Sequence, residues 1–209
     1  MLKIHTLALG SYQTNCYIVY NADSRECVLI DPGYEARTIL DKLAELGLKP
    51  AAILLTHGHF DHVGAVEALV KATGCALWMH QGDYSQAKDP TNTFFYPLAN
   101  TELTEVQFCE EAQCISIDAL TFTVWETPGH TWGSVCYLCQ DALFCGDTLF
   151  AGSCGRIDLP GGDRATMQTS LERFSREQAD LRIFPGHGPS STLAHEQQTN
   201  PYLGGGLWI

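Results

Sequence analysis

The sequence has few basic residues, and they do not cluster. Its 209 residues include 12 lysines and arginines against 24 aspartates and glutamates, which gives a formal net charge of −12. A nucleic acid or an anionic membrane surface is normally bound by a patch of lysine and arginine. We therefore expect neither of them to be the main partner, and RNA processing is disfavoured for the same reason.

The sequence also lacks any apolar stretch near the roughly 20 residues that a membrane-spanning helix requires. Lys3 and His5 interrupt the first ten residues, so no apolar core of an export signal forms there. We therefore expect a cytoplasmic protein, which also argues against secreted antibiotic hydrolysis. The nine cysteines are an odd number, and in a reducing compartment they are most simply buried small apolar residues.

Short apolar runs bounded by turn residues predict strands, and apolar residues at helical spacing predict helices. The predicted strands are 2–9, 15–20, 27–30, 51–55, 75–79, 113–117, 120–126, 134–139, 142–145 and 181–184, and the predicted helices are 36–46, 63–73 and one from about Asp163. The first three strands are expected to form an antiparallel meander. Residues 80–104 are expected to be irregular, with the aromatic cluster 94–97 anchored to the core rather than forming a lid.

Two strand-rich halves, each completed by helices, predict two sheets packed face to face with helices outside. No segment has the composition of a linker between domains, and the length fits one domain better than two. We therefore predict a single domain over residues 1–209.

The most informative stretch is Thr56–His62, which packs three of the eight histidines and one carboxylate into six residues. It lies where a predicted strand ends and a predicted helix begins. In an extended loop, side chains two positions apart point the same way, so His57, His59 and Asp61 can converge. His62, on the first helical turn, points elsewhere. One pair of ligands, His57 with His59, and a second pair, Asp61 with His62, indicate two neighbouring metals.

Three later turns also place a potential ligand at the end of an apolar strand, beside glycine. They carry His130 in Gly129-His130, Asp147 in Gly146-Asp147 and His187 in Gly186-His187-Gly188. Glycine lets the backbone turn and aim one side chain. Each turn alone is weak evidence, because such a sequence is usually only a turn. His5, His80 and His195 lie in no comparable turn and are not expected to be ligands.

Together these residues resemble the metallo-β-lactamase superfamily. The H-x-H-x-D-H motif stands at residues 57–62, the later single ligands follow in order, and the resemblance runs from about Asn15 to His187. It implies a four-layer αββα sandwich of two mixed sheets with a binuclear site at one edge. Asp31 matches the family's early strand-ending aspartate, which has a structural role.

The resemblance implies one metal on His57, His59 and His130, a second on Asp61, His62 and His187, and Asp147 as a bridge. Imidazole and carboxylate ligands suit zinc, iron or manganese, and zinc is our expectation. Metal binding can lower the pKa of water to about 7, so the expected reaction is hydrolysis by metal-bound hydroxide. Asp61 is the residue expected to orient that hydroxide.

Within the superfamily the chain resembles the glyoxalase II group, particularly its short bacterial members, through residues 146–156 and 159–163. That likeness implies hydrolysis of S-lactoylglutathione or a related acyl thioester. Classic glyoxalase II enzymes hold glutathione with a lysine where this chain has Arg156, which could bind a carboxylate instead. A surface pair of Arg156 with Asp158 or Asp163 is the other interpretation. Because only 22 residues follow His187, no separate C-terminal glutathione-binding helical domain is predicted.

Two alternatives remain open. A persulfide dioxygenase of the same fold would bind one iron through His57, His130 and Asp147, and it also resembles this chain at Gly155-Arg156. A redox or binding module could instead use Cys136 and Cys139. Residues three apart in a strand point to opposite faces, so convergence of these two thiols is not expected.

Overall fold

The computed structural model describes residues 1–86, 93–95 and 105–203. Its first sheet is mixed and follows chain order: strands one to three run antiparallel, and strands three to six run parallel. The strands are β1 (Leu2–Leu9), β2 (Thr14–Asn21), β3 (Glu26–Ile30), β4 (Lys49–Leu54), β5 (Ala76–His80) and β6 (Val106–Cys109). The predicted antiparallel meander is confirmed.

The second sheet is also mixed, with one parallel pair among antiparallel ones. Its strands are β7 (Cys114–Ile117), β8 (Leu120–Glu126), β9 (Val135–Cys139), β10 (Ala142–Gly146), β13 (Arg182–Pro185) and β14 (Ser191–Thr192), in the order β14-β13-β10-β9-β8-β7. A separate ribbon consists of β11 (Leu149–Phe150) and β12 (Ser153–Cys154).

Helices cover the outer faces of both sheets. They are α1 (Ala36–Leu46), α2 (Phe60–Val63), α3 (Val66–Thr73), α4 (Gln81–Gln86), α5 (Arg164–Arg176) and α6 (Leu193–Thr199). The side chains of α1 and α3 pack on the first sheet, and those of α5 and α6 pack on the second. Asp163 caps α5 as its sequence position predicts, because its carboxylate accepts a hydrogen bond from Thr166 N at 2.7 Å.

The main core lies between the two sheets. Val28 and Ile30 of β3 meet Phe122, Tyr137 and Phe144 of the second sheet there. Neighbouring residues of β3 point the other way, toward the helices. Because both faces of this strand are covered, its sequence is apolar throughout rather than alternating. The predicted αββα arrangement of two mixed sheets is confirmed, whereas the single domain over 1–209 stays a prediction.

Several short elements differ from the sequence-based prediction. The helix predicted over 63–73 is two helices, because the backbone N–H of Ala65 donates to Pro32 O at 3.1 Å instead of continuing α2. Helices α4 and α6 and strands β6, β11, β12 and β14 were not predicted. Each has only two to seven residues, too few to show a clear period in the sequence.

In the described parts of the chain, no helix combines the length and apolar character needed to cross a membrane. The cytoplasmic location stays a prediction.

Candidate metal centre

The predicted ligands meet at one edge of the sandwich. His57 and His59 follow β4, while Asp61 and His62 lie on α2. The other ligands follow strands of the second sheet: His130 comes after β8, Asp147 after β10 and His187 after β13. Residues 57–62 thus come from one sheet and the later residues from the other. Asp61 lies on a helix, not in the extended loop expected from the sequence, so it faces His187 rather than His57 and His59.

The first cluster consists of His57, His59 and His130, whose ligand atoms lie within 4.8 Å of one another. Nδ1 of His59 is 3.0 Å from Nε2 of His130. All three residues are at most 3% exposed. A group of buried imidazoles with converging nitrogens is what a metal site requires.

The second cluster consists of Asp61, His62 and His187. Nε2 of His187 lies 3.3 Å from Asp61 Oδ2 and 3.4 Å from Nε2 of His62. His62 is fully buried, whereas the side chain of His187 is 27% exposed. The second cluster is therefore the one that faces solvent.

Asp147 lies between the two clusters. Its Oδ1 is 3.4 Å from Nε2 of His62, and its Oδ2 is 3.5 Å from Nε2 of both His130 and His187. One carboxylate therefore approaches imidazoles of both clusters. This position suits the bridging role that the resemblance implies.

Hydrogen bonds fix the tautomers of the histidines. Nδ1 of His130 is 2.7 Å from the carbonyl oxygen of Arg156, and Nδ1 of His187 is 3.1 Å from that of Tyr12. A carbonyl oxygen only accepts, so Nδ1 donates in both rings. Nε2 of each ring is then the nitrogen that faces the site, the usual arrangement around metal-binding histidines.

Asp31 and Thr56 orient two more rings. Thr56 donates its hydroxyl to Asp31 Oδ2 at 2.6 Å, and the same hydroxyl oxygen lies 3.0 Å from Nδ1 of His57. Asp31 Oδ2 also lies 3.0 Å from Nδ1 of His62. Asp31 holds its backbone in the left-handed region, with φ of 50°, at a cost of about 1 kcal/mol. The structural role predicted for Asp31 agrees with these contacts.

Close packing of the His187 turn permits only glycine at position 186. A Cβ there would lie 2.2 Å from Asp147 Oδ1 and 2.7 Å from Cε1 of His62. The backbone of this turn therefore forms part of the wall around both clusters.

The residues fit a divalent metal. Buried polar atoms without a hydrogen-bond partner among the described residues are His57 Nε2, His59 Nε2 and Asp147 Oδ1. An unpaired buried polar atom costs about 1–3 kcal/mol. Nε2 of His57, whose Nδ1 contacts Thr56, and Oδ1 of Asp147 therefore indicate a ligand, whereas His59 faces His130 with its other nitrogen, Nδ1. The nitrogen separations of 3.0 and 3.4 Å are also close to the roughly 3.3 Å expected between two nitrogens on a tetrahedral zinc.

The two clusters differ in their protonation. Burial and the neighbouring imidazoles lower the pKa of His57 well below its usual value and that of His59 to about 3. Burial also opposes charge on His62 and His187, but nearby carboxylates outweigh it. Asp147 and Asp31 raise the pKa of His62 well above its usual value, and Asp147 and Asp61 raise that of His187 to about 9.

The two carboxylates of the site remain ionised. Burial would raise the pKa of Asp147, but His62 and His187 hold it well below its usual value. At Asp61, too, burial would raise the pKa, but the neighbouring His187 and His62 lower it by more, so the pKa of Asp61 is lowered overall. A cation bound between the clusters would replace the protons on His62 and His187 as the partner of these carboxylates.

The guanidinium of Arg156 forms two hydrogen bonds of 2.7 Å with Asp158, and both side chains are more than half exposed. The surface pair considered from the sequence is therefore present. Binding of a substrate carboxylate by Arg156 stays a prediction. What the sequence did not indicate is that the carbonyl oxygen of Arg156 orients His130.

Cys136 and Cys139 lie on β9 and point to opposite faces of the sheet. Cys136 packs in the core beneath α5, and Cys139 packs between the sheets. All nine cysteines are free thiols. The geometry agrees with the expectation that these two thiols do not converge.

One aromatic residue of the segment expected to be irregular reaches the first cluster. Phe95 is 3% exposed, and its ring centroid lies 5.0 Å from that of His59 and 6.3 Å from that of Trp132. This contact agrees with anchoring of the segment at Phe95, whereas the neighbouring Phe94 is 38% exposed. Tyr96 and Pro97, which belong to the same predicted cluster, lie outside the described residues.

Sequence reasoning missed several supporting residues. They are Thr14, which donates to Asp61 Oδ2 at 3.2 Å, Asn15, which holds the His187 turn, and Asp83, which contacts both loops of the first cluster. They are 25 to 173 residues from their partners in the sequence. No local motif marks them, so only the fold reveals these contacts.

Comparison with known proteins identifies similar chains of almost equal length. Hydroxyacylglutathione hydrolase GloC of Haemophilus influenzae is 31% identical, with 97% of this chain and 98% of that protein covered. The structure of BLEG-1 B3 metallo-β-lactamase has a TM-score of 0.84 and 35% identity, and covers 97% of this chain and 99% of its own. TTHA1623 in a di-iron-bound form has a TM-score of 0.82 and 37% identity, with coverage of 95% and 100%.

A family model gives the same result. The model described as metallo-β-lactamase superfamily matches residues 9–187, which include the whole ligand set. With the sandwich fold and the paired His/Asp clusters, this match shows that the chain belongs to the metallo-β-lactamase superfamily.

Proposed function

We propose that this protein is a binuclear metal-dependent hydrolase that cleaves S-lactoylglutathione or a related acyl thioester. The position of Asp147 carries the proposal, because its carboxylate lies 3.4–3.5 Å from imidazoles of both clusters. Two separate metal sites would not need a shared carboxylate. A site that holds two ions in contact with one substrate would need such a shared carboxylate.

Two bound divalent ions would lower the pKa of water to about 7 and polarise a carbonyl oxygen. His57, His59 and His130 would hold one ion, and Asp61, His62 and His187 the other, with Asp147 between them. Zinc is the expected metal. The di-iron form of TTHA1623 supports a binuclear site and makes iron the first alternative.

Asp61 has the position of a group that orients water. Thr14 donates to its Oδ2 at 3.2 Å, and the same oxygen lies 3.3 Å from Nε2 of His187. Its Oδ1 has none of these contacts and can accept a hydrogen bond from a water molecule.

The similarity to GloC supports a glutathione thioester as the substrate. The similarity to BLEG-1 supports a second kind of acyl substrate, the β-lactam ring. In both cases a nucleophile attacks a carbonyl carbon. The residues around the metals serve either reaction, so substrate assays must decide between them.

The test uses one preparation with its metals quantified. It is assayed on S-lactoylglutathione, on a chromogenic β-lactam, and on glutathione persulfide with O₂ uptake recorded. We expect thioester hydrolysis with two metal ions per chain. O₂ consumption with one iron per chain would establish the dioxygenase alternative instead, and turnover of the β-lactam alone would overturn the thioester proposal.

Matched variants connect the activity to the site. Asp147→Asn should abolish hydrolysis because the shared carboxylate is lost. Asp141→Asn changes an exposed carboxylate that pairs with Arg182 at 2.7 Å, and its activity should equal that of the wild type. Equal activity of both variants would exclude the proposed centre as the site of reaction.

A further inference from the structure

Asp83 lies at the start of α4, between the two loops that carry the first cluster, and it is completely buried. It belongs to neither histidine cluster. Burial raises its pKa, while hydrogen bonds from three partners act in the opposite direction. A buried carboxylate is costly unless its oxygens are satisfied, so the identity of those partners shows what it does.

The first partner belongs to the loop after β4. Oδ2 of Asp83 accepts a hydrogen bond from Gly58 N at 2.8 Å. Gly58 is the residue between His57 and His59. This bond therefore fixes the peptide that separates two of the three imidazoles.

The other partners belong to the loop after β8. Thr131, directly after His130, donates its hydroxyl to the same Oδ2 at 2.7 Å, and Gly133 N donates to Oδ1 at 2.6 Å. The packing is tight, because a Cβ on Gly133 would lie 2.8 Å from Asp83 Oδ1. Both oxygens of Asp83 thus hold the loop that carries the third imidazole.

Ser134 fixes the direction of the Thr131 hydroxyl. The backbone N–H of Thr131 donates to Ser134 Oγ at 3.1 Å, so the Ser134 hydroxyl is free to donate to Thr131 Oγ1 at 2.7 Å. Thr131 then directs its own proton to Asp83. The network is complete, and every donor in it has an acceptor.

We infer that Asp83 is a positioning residue, which sets the distance between the His57–His59 loop and His130 and so determines the geometry of the first metal cluster. The loops come from different sheets, and Asp83 hydrogen-bonds to both of them. Loss of its charge would let the 3.0 Å approach of His59 Nδ1 to His130 Nε2 relax. The inference concerns metal binding and does not depend on which substrate is cleaved.

The chain offers a matched control in Glu196. It is also completely buried, and it accepts hydrogen bonds from Gly152 N at 2.8 Å, from the Ser191 hydroxyl and from the Asn200 amide at 2.8 Å. None of these partners adjoins a predicted ligand. Asp83→Asn and Glu196→Gln therefore remove the same charge from similar surroundings.

The test titrates each variant with Zn²⁺ against a chromophoric chelator, after metal removal. Asp83→Asn should weaken binding at the first cluster roughly 10- to 100-fold, as changes in residues that support metal ligands do. Glu196→Gln should change it less than about 3-fold, although both variants lower the unfolding temperature. A His187→Ala background, which disables the second cluster, assigns the effect to the first.

Cobalt provides a second measurement. The visible absorption bands of Co²⁺ report ligand geometry, so they should shift in Asp83→Asn and not in Glu196→Gln. If Asp83→Asn does not fold, Thr131→Val removes one donor while keeping the side-chain shape, and it should give a smaller loss in the same direction. Wild-type affinity and spectrum in these variants, or an equal loss in Glu196→Gln, would overturn the inference. Absence of metal binding in the wild type would instead contradict the proposed function.

Discussion

Asn15 donates its side-chain amide to the carbonyl oxygen of Pro185 at 3.0 Å, across 170 residues of sequence. The same amide group donates to Gly188 O at 2.9 Å. These two carbonyls flank His187 in the sequence. The second strand of the first sheet therefore holds the turn that carries a candidate ligand of the second cluster.

Asn15→Ala should weaken metal binding at the second cluster about 10-fold, because the His187 turn loses its support. It should also lower the free energy of unfolding by about 1–3 kcal/mol, since Gly188 O loses its side-chain donor and Pro185 O keeps only the Tyr17 hydroxyl. Asn200→Ala is the control, because Asn200 is similarly buried and donates to Phe150 O and Ser153 O. It should destabilise the protein without changing metal affinity, and a similar loss of affinity in both variants would contradict the role of Asn15.

Asp147→Ala should lose both metals, whereas His187→Ala should weaken mainly the second. The reason is that Asp147 approaches both clusters and His187 belongs to one of them. Metal content after equilibrium dialysis, measured by elemental analysis, tests this expectation. Equal and complete loss in the two variants would contradict the assignment of Asp147 as a bridge.

Arg156→Gln should raise the KM for S-lactoylglutathione about 10-fold and leave kcat unchanged, if Arg156 binds a substrate carboxylate. Steady-state kinetics on this substrate and on an uncharged thioester provide the measurement. Arg182→Gln is the matched control, since Arg182 pairs with Asp141 through two similar bonds of 2.7 Å. An equal rise for both substrates would show that Arg156 does not recognise the carboxylate.

The pair of Arg156 with Asp158 has its own pH dependence. Hydrogen bonding from Arg156 lowers the pKa of Asp158 to about 2, from an ordinary value of 3.8. Because the folded-state pKa is the lower one, the stabilisation is complete above pH 3.8 and is lost as the pH falls toward 2. NMR titration of the Asp158 carboxyl carbon should show this value, and Arg156→Gln should return it toward 3.8. An ordinary pKa in the wild-type protein would mean that the pair does not persist in solution.

The candidate ligands could be chosen from the sequence because the H-x-H-x-D-H motif and three glycine-containing turns, each after an apolar strand, together resemble the superfamily pattern. Asp147 after β10 and His187 after β13 are examples: these strands are parallel neighbours, so their carboxyl ends must meet at one edge. The two strand-rich halves, each completed by helices, predicted the two packed sheets. In these segments the local sequence pattern and the sheet topology both place the candidate ligand at the carboxyl end of a strand.

The supporting residues could not be predicted, because their partners are distant in sequence. Asp83 lies in a segment expected to be irregular. Its carboxylate accepts hydrogen bonds from the backbone N–H groups of Gly58 and Gly133, and no residue type in the sequence marks such bonds. The split between α2 and α3 has a similar cause, since the carbonyl of Pro32 competes for the N–H of Ala65. The role of Arg156 could not be settled from the sequence either, because its side chain is exposed and packing does not fix what it binds.

The division of the ligands between two sheets has a consequence for the order of events during synthesis. The first sheet is complete in sequence at Cys109, but at that point the first cluster still lacks His130. The second cluster is incomplete until His187 has been made. A nascent chain therefore cannot assemble either full cluster from its first sheet alone. Asp31, His57 and His62 form a further group within the first half, so only ion uptake that involves His130 or His187 would report that both layers have docked. The timing of that uptake becomes a measure of folding.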